Sequence, residues 1–278
     1  MPCRPDATTA ASVRSSLPGA TTPVQPTCAV VGSSDILRLD PRGPEIDAHA
    51  VVWRLNNAPT AGWEDAVGRR TSARLINHVP IEKWLLLARN RSALDRTTDG
   101  AEYHRLLCAP EYAPLGCVVS RANSGPGLRK TLDAYRARYA SHRVALVSDA
   151  LHRWGVRCNE ELRGTQPSGG LYAVLAALAS CRAPVSLYGF WPHCCQRTPP
   201  PDGRPAMHYK YFQGNRTRFV CCSRGRERME VEYALYEQLH ARGLVRLVKA
   251  PETLTGPAPR TRQRPHYGSR VVHGARKV

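Results

Sequence analysis

Seven short apolar runs recur between residues 28 and 250: CAVVG (28–32), AVVWRLN (50–56), ARLINH (73–78), LGCVVS (115–120), RVALVS (143–148), PVSLYGF (184–190) and LVRLVKA (244–250). None is long enough for a helix, and none alternates strictly between apolar and polar. Strands with that pattern are covered on both faces. Helical stretches lie between them. GLRKTLDAYRARYA (127–140) carries Leu128, Leu132, Tyr135 and Tyr139 on one face, and IEKWLLLARN (81–90) is also amphipathic. LYAVLAALASC (171–181) is nearly all apolar and should be buried. SRGRERMEVEYALYEQLH (223–240) reads as a helix stopped at Gly243, with Val231, Leu235 and Leu239 facing the core. The pattern predicts one α/β domain over 28–250, a mostly parallel sheet with helices on both faces. Residues 1–27, rich in Ala, Thr, Ser and Pro, are expected to be a flexible lead-in. The Pro- and Arg-rich 251–278 is expected to be a disordered basic tail.

The formal charge of +18 raises the question of a polyanion partner. The excess comes from 35 Arg against 5 Lys, and much of it lies in the tail from Pro259. That distribution favours a basic, solvated surface over a nucleic-acid or heparin patch, so no nucleic-acid partner is expected. An acidic small substrate would suit the same surface. No run approaches 18 apolar residues and no apolar leader opens the chain, so a membrane anchor is expected only outside it. The ten cysteines include no CxxC. The vicinal pairs Cys194–Cys195 and Cys221–Cys222, with His193 and His208 near them, are zinc-ligand types, but adjacent side chains rarely reach one ion together. Disulfides in an oxidising compartment are the expected use. Asn90-Arg-Ser92 and Asn215-Arg-Thr217 are N-glycosylation sequons that fit that route.

Four stretches have the residue types of a ligand site. In CAVVGSSDIL a strand runs into Gly-Ser-Ser, where backbone and hydroxyls can meet a phosphate or sugar; a plain β-turn has the same letters. In VVWRLNNAP, Arg54 and Asn56 share a parity at the carboxyl end of a strand, which would turn both toward a ligand or into caps of the next turn. In TQPSGGLYAVL, Ser168 is a natural N-cap, and the amides of Gly169 and Gly170 can cradle an anion. FWPHCC places Trp191 after a strand, where it can stack on a base or sugar, and MHYKYF contains His208, a candidate proton donor to a departing phosphate. No D-x-D occurs, so a metal-bridged nucleotide diphosphate is not indicated.

These pieces, in this order, resemble the animal-type sialyltransferases, glycosyltransferase family 29. Residues 28–72, from CAVVGSSDILRLDPRGPEID to VGRRTS, look like the family's large motif. PSGGLYAVLAALASCRAPVSLYGFWP looks like its small motif, and MHYKYF like its third. The resemblance spans about 28–250, with 79–166 matching in pattern only, and LYGFWP leans toward the α2,8-linking branch. It implies a GT-A-like, Rossmann-like fold, CMP-sialic acid as donor, a glycan as acceptor, no metal or other cofactor, and a Golgi location. It further implies that Ser33 and Asn56 hold the nucleotide and its phosphate. Ser168, Gly169 and Gly170 would bind the donor phosphate or carboxylate, Trp191 would line the nucleotide pocket, and His208 would steady the leaving phosphate. Cys28 and Cys181 match the disulfide joining the two motifs.

The chain departs from the pattern at several positions. G-N-S has become G-S-S at Ser33, P-S-T-G has become P-S-G-G, and Lys210 stands where an uncharged ring is usual. In the last motif, His-x4-Glu, Glu232 matches, but Glu227 occupies the position of the catalytic His. The expectation is a sialyltransferase in which Glu227 acts as base. The alternative is a family member that binds nucleotide sugar or glycan without transfer. Read locally, Glu227, Glu230 and Glu232 are helix-start acids that suit the helix dipole.

Overall fold

The computed structural model describes residues 3–19, 24–77, 108–120, 128–158, 166–182, 184–191, 208, 210–212 and 223–249, side chains of 223–228 excepted. All seven expected strands are present: β1 (Cys28–Val31), β2 (Val51–Leu55), β3 (Ala73–Ile76), β4 (Gly116–Val119), β5 (Val144–Leu146), β6 (Val185–Tyr188) and β7 (Val245–Leu247). They form one sheet in the order β5-β4-β3-β2-β1-β6-β7, and every pairing is parallel. Strand order reverses beside β1, because the chain steps outward to β5 and then returns to place β6 on β1's other side. In open α/β sheets a ligand crevice forms outside the carboxyl ends of the strands at such a point.

Among the described residues eight helices cover the two faces: α1 (Ala7–Ser16), α2 (Ile36–Leu39), α3 (Gly43–Asp47), α4 (Glu64–Val67), α5 (Leu128–Arg138), α6 (Asp149–Cys158), α7 (Gly169–Ser180) and α8 (Ser223–Ala241). On one face, Val30, Trp53, Leu75 and Leu187 of the sheet pack with α1, α6, α7 and α8. On the other, Ala29, Val31 and Val52 pack with α2, α3 and α4, while Val119 and Cys117 pack with α5. This is the expected single α/β domain. α7 is central: Leu171 through Ala177 are all buried, as an all-apolar helix requires. α8 ends where Gly243 takes φ 70° and Leu244 N–H donates to the Leu239 carbonyl at 3.0 Å. Leu235 and Leu239 are buried and Val231 packs beside them, the expected stripe.

The N-terminal stretch differs from expectation. Residues 7–16 form α1, capped by Asp6, whose carboxylate accepts from Thr9 N–H, with Val13 fully buried. Arg14 Nη1 donates to the Ala179 carbonyl at 2.9 Å, fastening α1 to the end of α7. The helix carries too few apolar residues to show periodicity, because it meets α7 through that helix's small side chains. α6 was not anticipated either, although its buried Leu151, Trp154, Gly155 and Cys158 follow a helical spacing. Residues 81–90, both sequons, the four cysteines at 194, 195, 221 and 222, and the tail 251–278 lie outside the described residues.

The pairing Cys28–Cys181 is present, with Cα atoms 6.1 Å apart. It ties the start of β1 to the C-cap of α7. A second disulfide joins Cys108 to Cys117 in β4. Among the described residues no helix is long and apolar enough to cross a membrane.

Candidate active site

The crevice is built on the turn after β1 and the end of β6. Gly32 N–H donates to the Tyr188 carbonyl at 2.7 Å, and Ser34 N–H to the Gly189 carbonyl at 3.3 Å. The backbones approach so closely that a Cβ on Gly32 would lie 2.3 Å from the Gly189 oxygen, so only glycine fits. Ser33 follows, half-buried; its carbonyl accepts from Tyr211 N–H at 3.2 Å, while its hydroxyl has no hydrogen-bond partner among the described residues.

Asp35 was not singled out in the sequence, yet it organises this wall. It is fully buried and accepts from His208 N–H at 2.7 Å. The guanidinium of Arg38 holds it through Nε at 2.9 Å and Nη2 at 2.8 Å. His208 is therefore brought to the β1 turn through its backbone. Tyr211 anchors the same stretch, donating its hydroxyl to the Pro59 carbonyl and packing edge-on against Trp63. Lys210 lies over the Phe212 ring, 5.4 Å from its centroid.

Next along the edge, Asn56 has a positive φ of 49°, a left-handed conformation that asparagine tolerates better than other side chains. Its Oδ1 accepts from Asn77 N–H at 2.9 Å, and its carbonyl accepts from Arg74 at 2.9 Å. Arg54 serves the scaffold. It is buried and donates to the carbonyls of Val67 at 2.8 Å, Gly68 at 3.2 Å and Arg70 at 2.7 Å, folding the loop that follows α4. Burial draws its pKa down to about 10, with the Tyr211 and Asp47 charges opposing, so it stays a cation at neutral pH. Shared strand parity did not bring Arg54 and Asn56 to one ligand face, because the chain leaves extended conformation at Asn56.

The third wall is the start of α7. Ser168 caps it as expected, its hydroxyl accepting from Leu171 N–H at 3.1 Å. The same hydroxyl donates to Glu232 of α8, and Ser168 N–H donates to Glu232 Oε1 at 2.7 Å. Tyr236, buried beside it, offers its hydroxyl to Glu232 at 3.5 Å, and burial first, then the Glu232 charge, holds that phenol protonated far above its usual range. α8 begins at Ser223 with no acid in its first turn. The local reading of three helix-start acids is thereby corrected: Glu232 places its charge at the N-terminus of α7, not of its own helix. Glu232 thus takes the Ser168 amide, and the next two amides, Gly169 and Gly170 N–H, belong to the first turn, which no helix satisfies internally. Asn77, also not anticipated, stands beside them: a Cβ on Gly169 would lie 3.2 Å from its Oδ1. Only its place at the end of ARLIN, matching Asn56 at the end of VVWRLN, signals it in the sequence.

Trp191, half-buried, closes the β6 side with its ring 6.4 Å from Tyr233. Phe190 bridges to α7, its ring edge 3.2 Å from a Cβ built on Gly170. Ser33, Asn56, Ser168, Gly169, Gly170, Trp191 and His208 therefore gather at one sheet edge. Glu227 lies in the second turn of α8; its side chain is outside the described residues. No group of three or more His, Cys, Asp or Glu able to hold a metal occurs among the described residues.

A parallel α/β sheet with its strand order reversing beside β1, and with hydroxyls, an asparagine and a helix start at that edge, defines the open α/β class of fold. A solved mammalian sialyltransferase shares the fold, with a TM-score of 0.52 at 18% identity over 88% of this chain and 80% of that one. The family model for glycosyltransferase family 29 (sialyltransferase) matches residues 12–244, and the chain belongs to that family. It is 33% identical over 183 residues to sialyltransferase-like protein 2 of Oryza sativa subsp. indica, covering 59% of this chain and 44% of the relative. It is 28% identical over 200 residues to human CMP-N-acetylneuraminate-beta-galactosamide-alpha-2,3-sialyltransferase 1, covering 68% and 54%. The chain spans about half the length of these curated relatives.

Proposed function

We propose that the protein transfers sialic acid from CMP-sialic acid to a glycan hydroxyl, by metal-independent displacement with inversion, in the Golgi lumen. The acceptor oxygen attacks the anomeric carbon, the bond to the CMP phosphate breaks, and a base removes the acceptor proton. The observation that carries this reading is that the start of α7, set against Asn77 after β3 and Phe190 after β6, shares the carboxyl edge of the sheet with the Ser33 turn after β1. Together they offer neutral donors to a phosphate and a carboxylate held on one small molecule. Because Glu232 already occupies the first position at α7, the donor's anionic group is received at the next two amides. Ser33 and Asn56 hold the nucleotide and its phosphate, Trp191 lines the nucleotide pocket, and His208 steadies the departing phosphate. Glu227 takes the proton. An unperturbed Glu, near pKa 4.3, is a weaker base than a His near 6.5, so this step sets the rate.

Glu227 in place of His also favours a second reading, a relative that binds the donor without transfer. Incubation with CMP-sialic acid and a panel of glycan acceptors in EDTA, with calorimetric CMP titration, separates the two. The expected result is transfer by the wild type and none by Glu227→Gln, with CMP binding unchanged. Binding without transfer, restored by Glu227→His, establishes the second reading. Absence of CMP binding overturns both.

A further inference from the structure

Four of the six described cysteines form the two disulfides above. The other two, Cys3 and Cys158, lie 155 residues apart and meet in the core. The Cys3 thiol donates to the Cys158 carbonyl at 3.1 Å. Cys3 precedes α1 and Cys158 is the last residue of α6. With the Cys3 sulfur already on the Cys158 backbone, a bond of about 2.05 Å between the two sulfurs lies within reach of side-chain rotation.

α1 rests on little apolar surface, since Val13 is its single buried side chain. The far end of the same segment is held firmly: Gln25 N–H donates to the Ser180 carbonyl at 2.9 Å, and Cys28 is bonded to Cys181. The near end meets α6 through the Cys3 thiol on the Cys158 carbonyl. We propose that Cys3 and Cys158 form a third disulfide, which staples the N-terminal helix to α6. Each thiol loses a proton, a sulfur–sulfur bond forms, and the two electrons reduce an external disulfide such as oxidised glutathione to two thiols. The hydrogen bond from Cys3, then burial, holds the Cys158 thiol well above the usual thiol range once α1 is docked. The exchange therefore takes place as the helix docks, while the thiols still reach solvent.

The test uses the full chain made in an oxidising compartment, unfolded in iodoacetamide without reductant and digested with trypsin. Cleavage after Arg14, Arg157 and Arg163, with the Arg4–Pro5 bond resistant, yields peptides 1–14 and 158–163. The expected product is these two peptides joined, separating on reduction. Alkylation of both, or linkage of either to another cysteine, overturns the proposal. Cys3→Ser, Cys158→Ser and the double variant should each melt lower than the wild type by the same roughly 5–10 °C. A double variant that falls by the sum of the singles would show two independent packing effects and no bond. If Cys158→Ser does not fold, the peptide map of the wild type and Cys3→Ser still decide the matter.

Discussion

At the crevice, two buried groups are carboxylates, Glu232 and Asp35, each surrounded by donors that want a charge. At the β4–β5 flank the buried polar groups are a phenol and an imidazole. Tyr135 and His142 Nδ1 hydrogen-bond at 2.7 Å, and Tyr139 stacks on the imidazole with centroids 4.9 Å apart. The contrast lies in which form each site stabilises. The crevice is assembled around fixed negative charge, which holds the start of α7 and the backbone at His208 in place. At the flank the buried hydrogen-bonded pair is uncharged, while Arg136 holds the Val144 carbonyl of the edge strand from the surface. Removing charge should therefore damage the crevice, and adding charge should damage the flank.

The largest effect is expected at Glu232. Glu232→Gln keeps the shape but loses the charge that the Ser168 amide and hydroxyl both address, and one donor is left facing an amide N–H₂. Hydrogen bonds to charged groups contribute about 1.5–3 kcal/mol each, so a loss of about 3 kcal/mol in urea unfolding is expected. Transfer should fall by at least about 100-fold, because α7 would no longer present its amides correctly. A loss under about 0.5 kcal/mol would mean that the capping hydroxyl alone holds α7 and that the charge is incidental.

Asp35→Ala comes next. It frees the His208 amide and leaves Arg38 without its partner, but the Arg38 side chain is 36% exposed and solvent screens that half of the arrangement. A loss of about 2 kcal/mol is expected, with Asp35→Asn recovering about half of it through the surviving acceptor for His208 N–H. If the alanine and asparagine variants lose equally, the ion pair rather than the clasp on His208 holds this wall.

Gly169→Ala separates the scaffold from the binding surface. The new methyl would stand 3.0 Å from Leu75 Cδ2 and 3.2 Å from Asn77 Oδ1, where small side-chain shifts absorb it, and alanine favours the helix. Stability should change by less than about 1 kcal/mol, while CMP-sialic acid affinity, read by calorimetry, falls about tenfold as the amide is crowded. Equal affinity would place the anion elsewhere on the edge.

How much of this was readable in advance follows distance along the chain. The strands CAVV, VVWRL and GCVV are buried on both faces, and such strands declare themselves as continuous apolar runs. The cap at Ser168 was readable because its partner, Leu171, is three residues away. The pairs that shape the walls were not. Ser168 meets Glu232 across 64 residues and Asp35 meets His208 across 173, and no local propensity encodes such a meeting. α1 stayed hidden for another reason: packing through small residues and one arginine leaves no hydrophobic period.

The smallest effect is expected at the flank, and it tests the other half of the contrast. Burial draws the His142 pKa below that of a free imidazole, while the Glu111 charge pulls the other way. The unfolded chain therefore takes up a proton near pH 6.5 that the folded state resists. Stability from this site is complete above that pH and declines as pH falls below it. Burial also holds the Tyr135 phenol protonated, so its hydroxyl can donate to an unprotonated Nδ1; on an imidazolium, Nδ1–H must donate to the phenol oxygen instead, which reverses that bond. Between pH 7 and pH 5, the protection of the amides against exchange, relative to the unfolded chain at the same pH, should fall at Val144–Leu146 of β5 and stay constant at the buried amides of α7. Tyr135→Phe should shrink the pH-dependent part by deleting the bond at every pH, whereas Asp35→Ala should leave it unchanged. Loss of protection at α7 before β5 would reverse the assignment and locate the titrating group in the crevice.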